Sequence, residues 1–202
     1  MMVRRTAADA QQTRRGLLGA ALEVFSDCGF AAARVEDIAA RAGVTRGAFY
    51  HHFRDKAELY DAILRDEAQR ALDPVVAELS GDAAPLERLR RFLLSFGRAV
   101  EGDARLRMIL ELLLFGDTGA PERTKQLTGQ GFRAWSEVFV ALLREAHDRG
   151  ELRAGLGPEA AAAATLTVAV GFTTAVLRAP GVYPAGTSAD GLFDLLLDGI
   201  AQ

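Results

Sequence analysis

The chain has 202 residues, half of them hydrophobic and a quarter charged, with a formal net charge of −3. This length and composition predict a globular protein of one or two domains and exclude a chain too polar to form a core. Cys28 is the only cysteine, which excludes an intrachain disulfide and fits a reducing compartment. Arg4 and Arg5 are not followed by an apolar segment, so we expect no signal peptide and a cytoplasmic protein.

The charge is divided unevenly along the chain. Residues 1–56 carry nine Lys or Arg against six Asp or Glu, a net of +3, whereas residues 57–202 carry fifteen against twenty-one, a net of −6. A basic N-terminal part is expected when only that part meets phosphate. Residues 160–177 contain no charge, but their many alanines and their length, near the lower limit for a membrane span, predict a buried, close-packing helix. We therefore expect no membrane partner.

The first predicted helix covers Thr13–Cys28 and follows a polar, basic segment, residues 1–12, that we expect to be disordered. One apolar stripe along this helix consists of Leu18, Ala21, Leu22 and Phe25. Gly29 is placed to end it, because glycine adopts the left-handed conformation without a clash of a Cβ atom.

The stretch from residue 35 to residue 53 predicts two short helices joined by a tight turn. The apolar face of the first helix consists of Val35, Ile38, Ala39 and Ala42. Gly43 is placed to end that helix, and Thr45 to cap a second one from Arg46 to about Phe53. Phe49 and Phe53 share a face and would pack on the first helix. This pattern predicts a helix-turn-helix, whose second helix can enter a DNA major groove.

The other face of the second helix carries residues suited to DNA. Arg46 can bind guanine through two hydrogen bonds, or can bind phosphate, and Gly47 lets the backbone approach the duplex closely. The Tyr50 hydroxyl and the ring nitrogens of His51 and His52 can donate to phosphate oxygens. Further along, Asp55 has the spacing to cap a third helix, whose N-terminus and Lys56 could hold a phosphate.

Several of these segments, at fixed spacing, resemble the DNA-binding domain of TetR-type transcriptional regulators: Gly29-Phe30, Asp37-Ile38-Ala39, Ala42 to Phe53, and Lys56-Ala57-Glu58-Leu59. The resemblance covers about residues 13–63, and the remainder agrees only in the order of helices, most like the AcrR-type efflux repressors. The family often has Ser or Thr before the first helix of the motif. Here residues 31–34 are Ala-Ala-Ala-Arg, so a hydroxyl cap is missing and Arg34 is the substitute phosphate contact. The expected DNA-binding residues are Arg34, Thr45, Arg46, Gly47, Tyr50, His51, His52 and Lys56.

The rest of the chain predicts helices separated by Gly- and Pro-containing turns. A helix from Lys56 to about Leu79 should kink or break at Pro74. Further helices are expected over 85–100, 103–115, 122–147, from 158, and 188–200, the third of these irregular near 128–131. No segment alternates as a strand does, so the fold class is all-α. We expect a DNA-binding domain over 1–56 and a ligand-binding and dimerisation domain over 57–202.

Enzymatic function is the main alternative, and the sequence argues against it. His51 and His52 are neighbours on a helix and point about 100° apart, so they do not readily share a metal ion. His147 is expected near a helix C-terminus, where a positive charge is favoured. The known spacings of metal, nucleophile and phosphate sites do not occur. We expect no catalytic residues, no metal and no cofactor.

A small-molecule pocket is the expected second site. Apolar residues of the C-terminal two-thirds could line it around one acidic group, as is usual for such pockets, and the family resemblance implies a pocket without saying which residues form it. The candidates are Phe96, Met108, Glu111, Leu112, Phe115, Trp135, Phe139 and Phe172. Alternatively these residues are plain core, and Glu111 forms a surface pair with Arg107 one turn earlier.

The last two helices are the expected dimer interface. Small residues there permit close approach and leucines supply apolar area; the candidates are Ala163, Gly171, Ala175, Leu192, Leu195 and Leu196. The alternative is burial within one chain. The resemblance implies a homodimeric repressor that binds a double-stranded DNA operator and is released by a small, largely apolar effector. The alternatives are an activator, a lipid- or acyl-CoA-responsive regulator of the same fold, or a helical ligand-binding protein or enzyme that does not bind DNA.

Overall fold

The computed structural model describes residues 7–116, 119–179, 181–183 and 188–202. These residues confirm the all-α fold class, because extended pairing among them is limited to one isolated bridge between Leu152 and Ala201. The helices are α1 (Ala7–Ala32), α2 (Val35–Arg41), α3 (Arg46–Tyr50), α4 (Lys56–Ala62), α5 (Ala68–Val76), α6 (Pro85–Gly102), α7 (Ala104–Phe115), α8 (Glu122–Asp148), α9 (Pro158–Arg178) and α10 (Ala189–Ile200). A π-helical turn, Ile63–Glu67, joins α4 to α5, and a 3-10 turn, Ala77–Leu79, follows α5.

The chain divides into two compact units, Met1–Gln69 with Met108–Thr128, and Arg70–Arg107 with Gly129–Gln202. The first unit therefore includes a segment that lies far from its other residues in sequence. The functional boundary predicted between residues 56 and 57 stays a prediction.

Aromatic packing centres the first unit on Tyr60, which is fully buried. Its ring meets those of Phe25 and Phe30 edge-on, with centroid distances of 5.1 and 5.3 Å, an arrangement that aromatic rings prefer. The Tyr60 hydroxyl donates to the carbonyl of Leu112 at 3.1 Å, in the last turn of α7. A Cβ atom at Gly116 would collide with this hydroxyl, so the close approach requires glycine at that position.

The second unit packs α6 against α10. A Cβ atom at Gly97 would collide with Ala189 and with the ring of Phe193, so these helices are in close contact at this glycine. Exposed ion pairs flank the contact, Arg90 with Asp194 at 2.9 Å and Arg98 with Asp190 at 2.9 Å. The ring of Phe193 also lies edge-on to that of Phe172 of α9, with centroids 5.3 Å apart.

Several predictions about helix geometry were wrong. Residues 7–12 belong to α1 and are not disordered, while residues 1–6 lie outside the described residues. The helix from Lys56 does not break at Pro74, since α5 continues to Val76, and its irregular turn is the π-helical segment Ile63–Glu67. A kink at Pro74 stays a prediction. Helix α8 runs without interruption through residues 128–131. Interior glycines cost a helix only about 1 kcal/mol each, which a 27-residue helix with a packed face can tolerate.

Helix α9 departs from the expectation of a buried helix. Only 33% of the residues in its apolar stretch are buried within the single chain. Length and composition alone would let α9 cross a membrane, but the same composition suits a helix packed between protein surfaces.

Candidate nucleic-acid interface

The turn between α2 and α3 has the geometry that the sequence predicts. Gly43 adopts the left-handed conformation, with a φ of 67°. Its N–H donates to Ala40 O at 3.0 Å, and the N–H of Val44 donates to Ala39 O at 2.9 Å. These two bonds close the end of α2 and leave the chain positioned to enter α3.

Helix α3 separates an apolar side from a polar one. Thr45 caps it as predicted, its hydroxyl accepting the Ala48 N–H at 3.1 Å. Ala48 and Phe49 are buried, whereas Arg46, Gly47 and Tyr50 are exposed. The helix therefore has a short exposed polar surface, and its opposite, apolar side is packed in the protein.

The two histidines lie beyond α3 and not within it. The helix ends at Tyr50, and the N–H groups of His52 and Phe53 both donate to Phe49 O, at 2.9 and 3.0 Å. The predicted extension of α3 to Phe53 was therefore wrong, because the last turn tightens. His51 is exposed and His52 half-buried, and their contacts with DNA stay predictions.

Arg46 is held from two sides. Its Nη1 lies 2.9 Å from Oε1 of Glu36, in the first turn of α2. Its Nη2 donates to the Tyr50 hydroxyl at 3.4 Å, and its guanidinium carbon lies 5.6 Å from the Tyr50 ring centroid. The bond to Tyr50, and then the charge of Glu36, raise the pKa of Arg46 above its ordinary value. Helical periodicity does not predict the contact with Glu36, since the two residues belong to different helices.

Asp55 caps α4 as predicted, its carboxylate accepting the Glu58 N–H at 2.7 Å. Glu58 reaches back and accepts the N–H of Arg54, also at 2.7 Å, so the capping pair is reciprocal but displaced by one residue. Partial burial by itself would raise the pKa of Asp55, but the Glu58 N–H and the Arg54 side chain together hold that pKa below its ordinary value.

Lys56 is engaged with the backbone. Its ammonium donates to the carbonyls of Phe30, Ala31 and Ala33, at 2.7, 3.1 and 2.9 Å. It also lies 4.6 Å from the centroid of the Phe30 ring. A lysine has three N–H donors, so a phosphate would have to displace one of these carbonyls. Its predicted phosphate contact stays a prediction, and the geometry assigns it a role in fixing the end of α1 relative to α4.

Arg34 precedes α2 and makes no side-chain capping bond there, so the expected absence of a cap is confirmed. Its side chain is exposed, and its contact with phosphate stays a prediction. A further arginine that the sequence analysis did not single out is Arg14 of α1. Its guanidinium carbon lies 5.2 Å from the ring centroid of Phe53, which follows α3, and its Nη2 lies 2.7 Å from Oδ2 of Asp66. Arg14 therefore links α1 to the segment after α3 and to the π-helical turn.

Comparison with known proteins identifies this arrangement. Residues 17–63 match the family model described as "Bacterial regulatory proteins, tetR family". The transcriptional regulator AcuR of Cereibacter sphaeroides is 35% identical over 182 residues, which cover 87% of this chain and 80% of AcuR. The chain belongs to the TetR family of transcriptional regulators. Membership confirms the family prediction and the prediction that the chain is not an enzyme.

Two further proteins define how far the likeness reaches. The TetR-family regulator TtgR of Pseudomonas putida is 42% identical over 114 residues, 55% of this chain. That match spans 54% of TtgR, about half of its length. A structural match is SmeT, the repressor of the Stenotrophomonas maltophilia multidrug efflux pump SmeDEF. The match covers 96% of this chain and 93% of the SmeT chain, with 31% sequence identity and a TM-score of 0.76. A SmeT–triclosan complex gives a TM-score of 0.82 at 29% identity, over 94% of this chain and 92% of that one.

The predicted ligand-binding residues fall into separate groups within this TetR-family chain. Phe92 brings together three aromatic residues of the second unit, with ring centroids 6.0 Å away at Phe96, 5.4 Å at Trp135 and 5.5 Å at Phe139. Phe172 packs on α10 in the same unit. The other four candidates lie in the first unit: Met108, Glu111, Leu112 and Phe115. An open cleft of the second unit contains none of the eight; it is lined by Glu78, Arg91, Leu94, Ser95 and Arg98.

Glu111 is half-buried. Arg107, its alternative partner, donates from Nη1 to the carbonyls of Val100 and Glu101, at 3.1 and 2.7 Å. These bonds satisfy carbonyls at the end of α6, which a helix leaves open. The assignment of Glu111 to a pocket stays a prediction.

The predicted dimer-interface residues lie on the two C-terminal helices and are not buried. Leu195 is 70% exposed, the largest exposure among the large hydrophobic residues described as exposed. Exposed or half-buried positions also include Ala163, Gly171, Ala175, Leu192 and Leu196. The alternative prediction was that these residues are buried within one chain, and none of the six is buried there.

Proposed function

We propose that this chain forms a cytoplasmic homodimer that represses transcription, binds an operator through α3, and is released by a small, largely apolar ligand. The observation that carries the proposal is the polar, exposed surface of α3. Thr45 caps it and Phe49 fixes its buried side, so that Arg46, Gly47 and Tyr50 lie on one exposed surface. Basic and hydroxyl groups in front of a rigid base suit phosphate and base-edge contacts.

Repression and release by a ligand are supported by the likeness to SmeT. That protein represses an efflux pump and forms a complex with triclosan, and the likeness extends over most of this chain. The aromatic group around Phe92 could supply apolar surface for such a ligand.

A homodimer is supported by the surface of α9 and α10. One short helix offers too little area for tight, specific binding, so two copies on a near-palindromic site are expected. Only 33% of the residues in the apolar stretch of α9 are buried, and the surface of Leu195 is 70% exposed. Covering such a surface with a second copy removes apolar area from water.

The test has two steps. A duplex is first selected from a random-sequence library with the wild-type protein, and triclosan is then titrated into the complex. A ligand shifts DNA affinity only if it binds the free and bound forms differently, and the coupling is reciprocal. We expect triclosan to weaken DNA binding by the same factor by which the duplex weakens triclosan binding. Tight triclosan binding without any change in DNA affinity would eliminate this ligand class as the effector.

A reporter gene behind the selected duplex distinguishes the modes of regulation. Repression predicts low expression that rises when the gene for this protein is deleted. Expression that falls on deletion would instead indicate an activator.

A further inference from the structure

Glu36 is an acidic residue on a surface that is otherwise suited to phosphate. Its carboxylate lies 2.9 Å from Nη1 of Arg46, and both side chains are largely in solvent, 52% and 62% exposed. An acid in the first turn of a helix favours that helix through its dipole. Asp37 occupies the same turn and can serve this purpose equally. The dipole therefore does not account for the pairing of Glu36 with the first residue of α3.

The contact with Glu36 determines which donors of Arg46 are available. Nη1 faces Glu36, while Nη2 has a long bond of 3.4 Å to the Tyr50 hydroxyl. A guanidinium carries five N–H donors in a planar fork. With Nη1 engaged, the edge formed by Nε and Nη2 remains for a two-donor contact, such as the one that guanine O6 and N7 accept.

We infer that Glu36 is a specificity-determining residue that positions Arg46 toward a base edge and disfavours its binding to phosphate. This inference rests on the proposed function, because it concerns the same DNA-binding surface. On DNA of unrelated sequence, the carboxylate would approach phosphates, and Arg46 would have to leave it to bind them. On the operator, Arg46 keeps its partner and contacts guanine. Glu36 therefore lowers the affinity for unrelated DNA more than the affinity for the operator.

The pair also reduces the ordering that binding requires. A free arginine side chain loses rotamer freedom when it is fixed against a base, and that loss weakens binding. Glu36 and the ring of Tyr50 restrict Arg46 before DNA arrives. A group that is already oriented forms a more selective contact.

The test compares Glu36→Gln with Asp37→Asn, a matched control that removes the same formal charge from the same turn. Each protein selects duplexes from a random-sequence library, and its affinity is measured for the wild-type-selected duplex and for an unrelated one. We expect Glu36→Gln to lower the ratio of the two affinities by on the order of 3- to 30-fold, since two exposed contacts are lost per dimer. Arg46 freed for phosphate should also steepen the salt dependence. Asp37→Asn should leave the ratio unchanged.

The double variant Glu36→Gln/Arg46→Ala decides whether Glu36 acts through Arg46. In the Arg46→Ala background, adding Glu36→Gln should no longer change the affinity ratio. A Glu36→Gln protein that raises both affinities equally, as a change of net charge would, overturns the inference while leaving the proposed function intact. An effect of Glu36→Gln that persists without Arg46 does the same. If the wild-type protein enriches no sequence, both the proposed function and the inference are wrong.

Discussion

At the scale of single residues, Lys56 shows how a charge suited to phosphate can serve the fold instead. Its three bonds to main-chain carbonyls join the end of α1, and Ala33 directly after it, to α4. Hydrogen bonds from a charged donor are stronger than neutral ones, and a partly buried carbonyl left without a partner destabilises the folded state.

Lys56→Ala should therefore lower the free energy of unfolding, by about 1–3 kcal/mol, before any effect on DNA is considered. Urea unfolding measures this difference. The other lysine of the chain, Lys125, is a matched control. It is exposed, and its ammonium forms a long ion pair with Glu122 at 3.8 Å. Lys125→Ala should change stability by less than about 0.5 kcal/mol. Equal stability of the two variants would contradict the bracing role of Lys56.

Asp55 provides a residue-scale prediction that depends on pH. The pKa of its carboxyl is depressed in the folded state, so its stabilising effect is present above the unfolded-state pKa of about 4. That effect is lost as the pH falls through the lower folded-state value. Asp55→Ala should cost about 0.5–2 kcal/mol at pH 7, as loss of a helix cap does, and this difference from the wild type should shrink below about pH 4.

Asn also caps helices but does not titrate, so Asp55→Asn is the control for this measurement. The Asp55→Asn variant should retain most of the wild-type stability at pH 7. The difference in unfolding free energy between Asp55→Asn and Asp55→Ala should depend little on pH. A difference between wild type and Asp55→Ala that stays constant from pH 7 to pH 3 would show that the charge of Asp55 does not contribute.

At the scale of helices, the first turn of α8 is fastened to α4 by buried polar contacts. The Thr124 hydroxyl donates to Oδ1 of Asp61 at 2.7 Å, and both residues are buried. Nε of Arg123 lies 3.0 Å from Oδ2 of the same carboxylate. Both oxygens of a buried acid are thus paired, which a buried charge requires.

Thr124→Val keeps the shape of the side chain but removes one donor, so it should destabilise the protein by about 1–3 kcal/mol. Thr128→Val is the control on the same helix, since Thr128 donates only to Thr124 O within α8, at 3.4 Å. Urea unfolding gives the difference in stability, and amide hydrogen exchange should show faster exchange in α4 for Thr124→Val alone. Unchanged exchange in α4 would mean that α8 does not fasten it.

Helix caps and contacts between helices differ in how far the sequence could predict them. The caps Thr45 and Asp55 were predicted correctly because a cap and the N–H it accepts are three residues apart. The pairing of Asp61 with Thr124 spans 63 residues, and helical periodicity carries no information about such a partner. The same limit hid the contact between Glu36 and Arg46, and the inclusion of residues 108–128 in the first unit.

At the scale of the whole molecule, the exposed apolar residues of α9 and α10 predict self-association. Leu195 and Leu196 are adjacent on α10; Leu195 is exposed and Leu196 is half-buried. Replacing both with Glu places charges where a second copy would pack, and should convert the dimer to a monomer. Light scattering measures the mass, and circular dichroism checks that the helices remain. A folded dimer of this double variant would place the interface elsewhere.

Dimerisation in turn determines the DNA site. Two copies related by a two-fold axis would place two α3 helices on half-sites separated by about one helical turn, so the selected duplex should be near-palindromic. The monomeric Leu195→Glu/Leu196→Glu protein should bind one half-site only, and weakly.

The most direct measurement is the affinity of wild-type protein and of Arg46→Ala for the library-selected duplex and for an unrelated duplex at the same salt concentration. Arg46 is the first residue of α3 and is exposed beside Tyr50, and a two-donor contact with guanine strongly discriminates among bases. We predict that two wild-type chains bind each selected duplex, and that Arg46→Ala reduces this affinity by at least about tenfold with a much smaller effect on the unrelated duplex. Equal affinity of the two proteins for the selected duplex, or no preference of the wild type for it, would contradict the assignment of α3 as the DNA-recognition helix.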